Sequence, residues 1–286
     1  MHEAQYHSNN YFITITYDDF YLFTETDFNG NLVRSVPQVV NETGEVIMNV
    51  PSLRKRDLQL FWKRLRGTAN GKNLKYFACG EYGPNTHRPH YHCCVFDLEL
   101  PDLTFYKTSD TGFSLYNSEW LSNLWYSEFE DVREKDNLPV GKHFPMGFIV
   151  IGELNADTAG YTARYTLKKA NDAELNSKFQ DLNIEPERLY CSKGLGLNWL
   201  MDNIDTVLEV DELVLKDGFT LSAPQYYLNK LEEVGYDLTE RKERNKAIAI
   251  DLSDAIYSGT TLSPDKYNKM LDEQSKQKNL SSYRPL

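Results

Sequence analysis

YFACGEYGPNTHRPHYHCCVF, residues 76–96, sets two apolar runs on either side of a turn-rich loop and carries a carboxylate and two histidines. In an extended strand, residues i and i+2 point to the same face, so His90 and His92 present two imidazoles side by side. A hairpin closed by the loop 83–88 would bring Glu81 to that face as a third ligand for a metal ion. A His-x-His triplet in an apolar strand is by itself more often two partly buried histidines, so this reading needs a partner motif elsewhere in the chain.

Outward from this stretch, YFITITY (11–17) alternates apolar residues with threonine and reads as a central strand of an antiparallel sheet with one covered face. Residues 20–50 hold short β-like runs around Asn29-Gly30 and Thr43-Gly44, a hairpin-rich insertion. Ser52 is expected to cap a helix that runs through Arg66 and stops at Gly67. Leu58, Phe61, Trp62 and Leu65 fall at i, i+3, i+4 and i+7 and dock it on the sheet, while Arg54, Lys55, Arg56, Lys63 and Arg64 project largely elsewhere. After a short strand at 113–116, Ser118 is expected to cap a helix bearing Leu121, Leu124, Trp125 and Phe129. Residues 131–143 read as a loop and MGFIVIGE (146–153) as a buried strand.

The 286 residues carry a net charge of −11, which argues against indiscriminate nucleic-acid binding. Its distribution is uneven. Residues 51–90 hold nine basic side chains against two acidic ones, a local +7 that leaves −18 for the remainder, as expected of a protein that grips a polyanion at one site. The four cysteines, Cys79, Cys93, Cys94 and Cys191, lack zinc spacing and read as reduced thiols. No run has signal-peptide form or approaches the roughly 18 apolar residues of a membrane span, so a cytoplasmic protein with no membrane partner is expected.

The partner motif is TAGYTARYTLKKA (158–170), helical in composition and preceded by N-cap candidates at 155–157. On a helix Tyr161 and Tyr165 lie one turn apart on one face, with Lys168 continuing near it. A tyrosine oxygen attacks a phosphodiester only if its proton, with a pKa near 10, is removed or the leaving group is assisted. A divalent cation held by two imidazoles and a carboxylate polarises such a phosphate and offsets developing charge. The products are a 5′-phosphotyrosine and a free 3′-hydroxyl that can later reseal the strand. Nitrogen and oxygen ligation is compatible with Mn²⁺ or Mg²⁺, and Zn²⁺ fits the ligands too.

PHYH (89–92) preceded by GEYG (80–83), with YTARYTLKK (161–169) downstream, resembles the HUH endonucleases, and most closely the rolling-circle replication initiators of gokushovirus-type Microviridae. ITITYDD (13–19), CSKGLGLNW (191–199) and APQYYLNKL (223–231) resemble further parts of those proteins. The resemblance implies an α+β fold, a five-stranded antiparallel sheet flanked by helices, with a nickase domain at 1–204 and a C-terminal hairpin and helical extension at 205–286. It also implies Glu81, His90 and His92 as metal ligands, Tyr161 and Tyr165 as nucleophiles, and Lys168 or Lys169 orienting the scissile phosphate. Arg54, Lys55, Arg88 and Arg164 are taken as DNA contacts. The implied activity is nicking and religation of single-stranded origin DNA in the host bacterial cytoplasm. His87 departs from the pattern by standing where a small residue such as glycine is expected, and is a competing ligand or DNA contact.

In the C-terminal third a hairpin is expected at 211–221, a helix at 224–233, a charged helix from Thr239, a short helix after Ser263 and a frayed polar end at 273–286. The sequence contains no G-x-x-x-x-G-K-[ST], so unwinding is expected from a host helicase and replication machinery. A transposase or relaxase of the same fold, a hydrolase using water, and a non-catalytic DNA-binding regulatory protein remain as alternatives.

Overall fold

The computed structural model describes residues 1–18, 22, 25–26, 32–34, 38–40, 46–49, 51–83, 86–127, 144–169, 177, 179–181, 184–210, 212–214 and 220–281. Within several of these segments, residues 164–169 among them, only the backbone is described. The chain forms two compact units, Met1–Trp199 and Leu200–Leu286.

The first unit is built on β1 (Asn10–Thr16), β2 (Lys75–Tyr82), β3 (Pro89–Phe96), β4 (Thr104–Thr108), β5 (Ser114–Asn117), β6 (Ile149–Glu153) and β7 (Arg188–Cys191). They make a 7-stranded antiparallel sheet in the order β7-β2-β3-β1-β6-β5-β4. The expected five strands are therefore extended by the β4–β5 hairpin, joined to β6 at Ile151↔Tyr116. TFYKT of β4 is exposed at every position, so it lacks the apolar alternation by which a strand is recognised in a sequence.

β1 lies between β3 and β6 as its alternation requires. Ile13, Ile15 and Tyr17 face the main core with Ala78, Tyr91, Cys93 and Val95, where α1 (Lys55–Arg66) inserts Leu58, Phe61, Trp62 and Leu65. Phe12, Cys94 and Phe96 face the other way and pack with Ala159 and Tyr161 of α2 (Ala156–Lys169). Both faces of β1 are thus covered, in place of the single covered face that its threonines suggest. The opposite facings of Cys93 and Cys94 follow from strand alternation, and all four cysteines are free thiols.

Two helix starts differ from expectation. Ser52 does not cap α1, which begins at Lys55; its hydroxyl accepts from the Glu185 amide, and the Glu185 carboxylate accepts the Lys55 amide instead. Ser118 does cap a helix by accepting from the Leu121 amide, but that helix spans only Glu119–Ser122. It stops because the chain turns to bury Trp125 and to pair Tyr126 with Pro145, while Arg64 donates to the carbonyls of Leu124 and Tyr126. Phe129 and the expected loop at 131–143 lie outside the described residues.

β6 is entered through Gly147 at φ +153°, where a Cβ would sit 2.1 Å from the Thr16 carbonyl oxygen. The neighbouring bonds, Thr16 N–H to Phe148 O at 2.9 Å and Asp18 N–H to Met146 O at 2.8 Å, hold the two backbones at that approach. Gly147→Ala is expected to destabilise the fold by about 2–4 kcal/mol, seen as a lower denaturant midpoint; an unchanged midpoint would contradict this close packing.

Within 20–50 the described strands pair as Glu25–Thr26 with Leu32–Arg34 and Gln38–Val40 with Val46–Asn49, while both turn signals lie outside the described residues. The second unit contains the pair Glu212–Val214 and Thr220–Ser222, then helices Gln225–Val234, Thr239–Ser258 and Pro264–Ser281. The last is longer than the short helix expected, since the polar run that suggests a frayed end is made of helix-forming Lys, Gln, Glu and Leu. No helix among the described residues is long and apolar enough to cross a membrane.

Candidate metal centre

The β2–β3 hairpin register pairs Glu81 with His90 and Cys79 with His92. Strand alternation then sets Glu81, His90 and His92 together on the face opposite α1. Their ligand atoms form a group that can hold a metal ion. The His90 Nε2 lies 2.7 Å and the His92 Nε2 3.0 Å from the same oxygen, Glu81 Oε1. Glu81 Oε2 is buried without a hydrogen-bond partner, an orphaned oxygen that a cation would satisfy. Two imidazole nitrogens and a carboxylate are suitable donors for a divalent metal.

Each imidazole is oriented by its other nitrogen. His90 Nδ1 donates to the Arg88 carbonyl at 2.9 Å, and His92 Nδ1 lies 3.0 Å from Thr14 Oγ1, its register partner on β1. Phe12 stacks on His92 with centroids 5.4 Å apart. Neither neighbour is marked by a motif of its own. The alternation of YFITITY does place Phe12 and Thr14 opposite Ile13 and Ile15, but only the strand register shows that Thr14 meets His92.

From α2, Tyr161 sets its ring edge-on to His92 at 5.1 Å and donates its hydroxyl to Glu81 Oε1 at 3.0 Å. The helix starts where expected because Asn155 Oδ1 accepts the Thr158 amide and Thr158 Oγ1 accepts the Asn155 amide, a reciprocal cap. Its backbone continues through Lys169, which keeps residues 161 and 165 one turn apart. The side chains of Arg164, Tyr165, Lys168 and Lys169 lie outside the described residues.

The other expected DNA contacts are placed differently. Arg54 and Lys55 begin α1 on the opposite face, where the Arg54 amide and carbonyl both bond the Tyr91 hydroxyl. Arg88 donates to the Tyr17 carbonyl at 2.7 Å, fixing the loop whose own carbonyl orients His90. Arg66 donates to Leu74 O and Ser192 Oγ, and Lys75 pairs with Glu3 at 2.8 Å. Part of the local +7 is thus occupied in holding the fold. His87 is exposed, outside the ligand group, and at φ +51°, the left-handed backbone that explains an expectation of glycine there.

Burial opposes charge at all three ligands. For Glu81 it is overcome by the hydrogen bonds and charges of both histidines, which hold the carboxyl down to about 2. His90 is likewise desolvated, yet the Glu81 hydrogen bond and charge raise it above the ordinary 6.5. At His92 desolvation prevails over Glu81 and the value falls. With Nδ1 donating to a carbonyl and Nε2 against a carboxylate, metal-free His90 is an imidazolium. A cation must displace that proton. Apparent Mn²⁺ affinity is therefore expected to rise roughly tenfold per pH unit below the raised His90 pKa and to level off above it, with about one proton released on binding. Calorimetry in buffers of different ionisation enthalpy reads this directly; a pH-independent affinity would contradict it.

The fold and this centre define an α+β protein with a potential divalent-metal group on its central sheet and a tyrosine helix laid over it. The chain belongs to the ORF2 family of replication-associated proteins, whose profile matches residues 10–170. It is 30% identical over 279 residues to the replication-associated protein ORF2 of Spiroplasma virus 4, covering 95% of this chain and 73% of that protein. It is 27% identical over 234 residues to the replication-associated protein VP4 of Bdellovibrio phage phiMH2K, covering 79% of this chain and 59% of that one. The replication-associated protein ORF4 of Chlamydia phage 1 is 24% identical over 237 residues, with 81% and 48% covered. These relatives are gokushovirus-type microvirus proteins. No solved structure matches the chain.

Proposed function

We propose that this protein initiates rolling-circle replication by nicking and rejoining single-stranded origin DNA through a tyrosine ester. The observation that carries the reading is the convergence of the Tyr161 hydroxyl and both imidazole Nε2 atoms on one carboxylate oxygen. Glu81, His90 and His92 hold the cation, Mn²⁺ or Mg²⁺, which when bound polarises the scissile phosphate and offsets the charge that develops on it.

Tyr161 supplies the attacking oxygen. Its bond to phosphorus forms as the bond from phosphorus to the 3′ oxygen breaks, leaving a 5′-phosphotyrosine and a 3′-hydroxyl. The phenolic proton already points at the Glu81 carboxylate, which orients the lone pairs of the phenol and offers the proton an acceptor. The 3′ oxygen takes a proton from water. Because the ester is conserved, a later 3′-hydroxyl reverses the step and closes the strand. Tyr165, one turn along α2, is the nucleophile for a second cleavage, with Lys168 or Lys169 orienting the phosphate. A host helicase supplies unwinding, in keeping with the absence of a P-loop motif in this sequence.

The test is to incubate the protein with Mn²⁺ and an oligonucleotide carrying the origin strand of its genome, and to resolve the products on a denaturing gel. A protein–DNA adduct that survives denaturation is expected, with an equal amount of 3′-hydroxyl fragment. Cleavage giving a free 5′-phosphate and no adduct would show water as the nucleophile, and no cleavage would leave a non-catalytic DNA-binding protein.

A further inference from the structure

The two histidines present Nδ1 to different kinds of partner. His90 faces a backbone carbonyl, which only accepts, whereas His92 faces the Thr14 hydroxyl at 3.0 Å, which can donate or accept. Without a metal, His92 Nε2 lies 3.0 Å from Glu81 Oε1 and carries the hydrogen, so Nδ1 is a lone pair that accepts from Thr14. For Nε2 to offer a lone pair to a cation, the hydrogen of the neutral ring must reside on Nδ1, which then donates to Thr14. One hydroxyl serves both arrangements without moving.

The surroundings leave His92 little else. Its ring is buried, stacked by Phe12 within 8° of parallel and met edge-on by Tyr161. Thr14 is fixed as its partner by the β1–β3 register. We propose that Thr14 is a positioning residue of the metal centre, whose hydroxyl holds the His92 ring with Nε2 aimed at Glu81 in both tautomers. This rests on the metal reading above. Valine at position 14 keeps the shape but offers Nδ1 neither donor nor acceptor. It thereby favours the tautomer with hydrogen on Nε2, the one unable to ligate.

The experiment uses the full chain as wild type, Thr14→Ser, Thr14→Val and Glu81→Gln, with Mn²⁺ alone titrated by calorimetry and by the loss of its free-ion electron spin resonance signal. Thr14→Val is expected to bind Mn²⁺ about 10–100-fold more weakly, with Thr14→Ser close to wild type and all metal-free melting points alike. Wild-type affinity in Thr14→Val, or equal weakness in Thr14→Ser, would overturn the proposal while leaving the metal centre standing. If wild type binds no Mn²⁺, or Glu81→Gln binds it unchanged, the metal reading itself fails and the proposal with it. A measurement on wild type alone guards against a Thr14→Val chain that does not fold. Nitrogen-15 shifts of His92 are expected to report hydrogen on Nε2 in chelator and on Nδ1 with Zn²⁺ as a diamagnetic probe, and hydrogen on the same nitrogen in both would overturn the proposal.

Discussion

Tyr161→Phe is expected to slow covalent adduct formation with a single-stranded origin oligonucleotide and Mn²⁺ by about a thousandfold or more. The substitution removes one atom of consequence. The ring that packs edge-on against His92 is retained, so the melting point and Mn²⁺ affinity should stay near wild type. What disappears is the hydroxyl held 3.0 Å from Glu81 Oε1. An effect confined to rate, with fold and metal binding intact, separates a nucleophile from a buried packing residue. Tyr165→Phe is expected to leave the first adduct and to block strand transfer, and the double variant to lose both. If Tyr161→Phe forms adduct normally while the double variant does not, the first nucleophile is Tyr165 instead.

The second large effect is expected at Glu81. Glu81→Gln should abolish measurable Mn²⁺ binding at concentrations that saturate wild type, because an amide turns donors toward the two nitrogens and removes the charge that makes the group a divalent-metal site. It should also reshape the pH dependence of the metal-free protein. The Glu81 carboxyl is held down from 4.5 to about 2, so its stabilisation is present above 4.5 and is lost as pH falls from there toward 2. His90 is raised above 6.5, so its contribution is complete below that value and is lost as pH rises through the raised pKa. Metal-free wild type should therefore gain most from this pair between about 4.5 and 6.5. In Glu81→Gln that local maximum should flatten. Tryptophan fluorescence during denaturant titration at a series of pH values measures it, and a maximum equal to wild type would contradict the pairing.

Much of this centre is legible in the sequence because it depends on short-range rules. His90 and His92 share a face through the two-residue period of a strand, and a hairpin with its turn between 83 and 88 brings Glu81 level with His90. The tyrosine helix is readable from its caps and composition. Less legible are features set by register and by long-range packing. Thr14 meets His92 only because β1 pairs with β3 at that offset, 78 positions away in sequence. The basic character of α1 reads, in the sequence, as a grip on a polyanion. Its apolar stripe, however, docks on the face opposite the triad, and Arg64 and Arg66 are spent on backbone carbonyls and on the rings of Tyr126 and Tyr76. Composition gives the sign of a charge cluster, and only packing gives the face it occupies. The β4 edge strand escapes notice for a related reason, since a strand exposed along its length has no buried period to betray it.

The most direct test of the tyrosine chemistry is to locate the DNA on the protein. Trypsin cuts after Arg164, so Tyr161 and Tyr165 fall in different peptides, 143–164 and 165–168. Mass spectrometry of a nuclease-trimmed, trypsin-digested adduct formed with Mn²⁺ and origin DNA is expected to find the nucleotide phosphate on the 143–164 peptide, at Tyr161. Cleaved DNA with a free 5′-phosphate and neither peptide modified would contradict tyrosine transesterification outright.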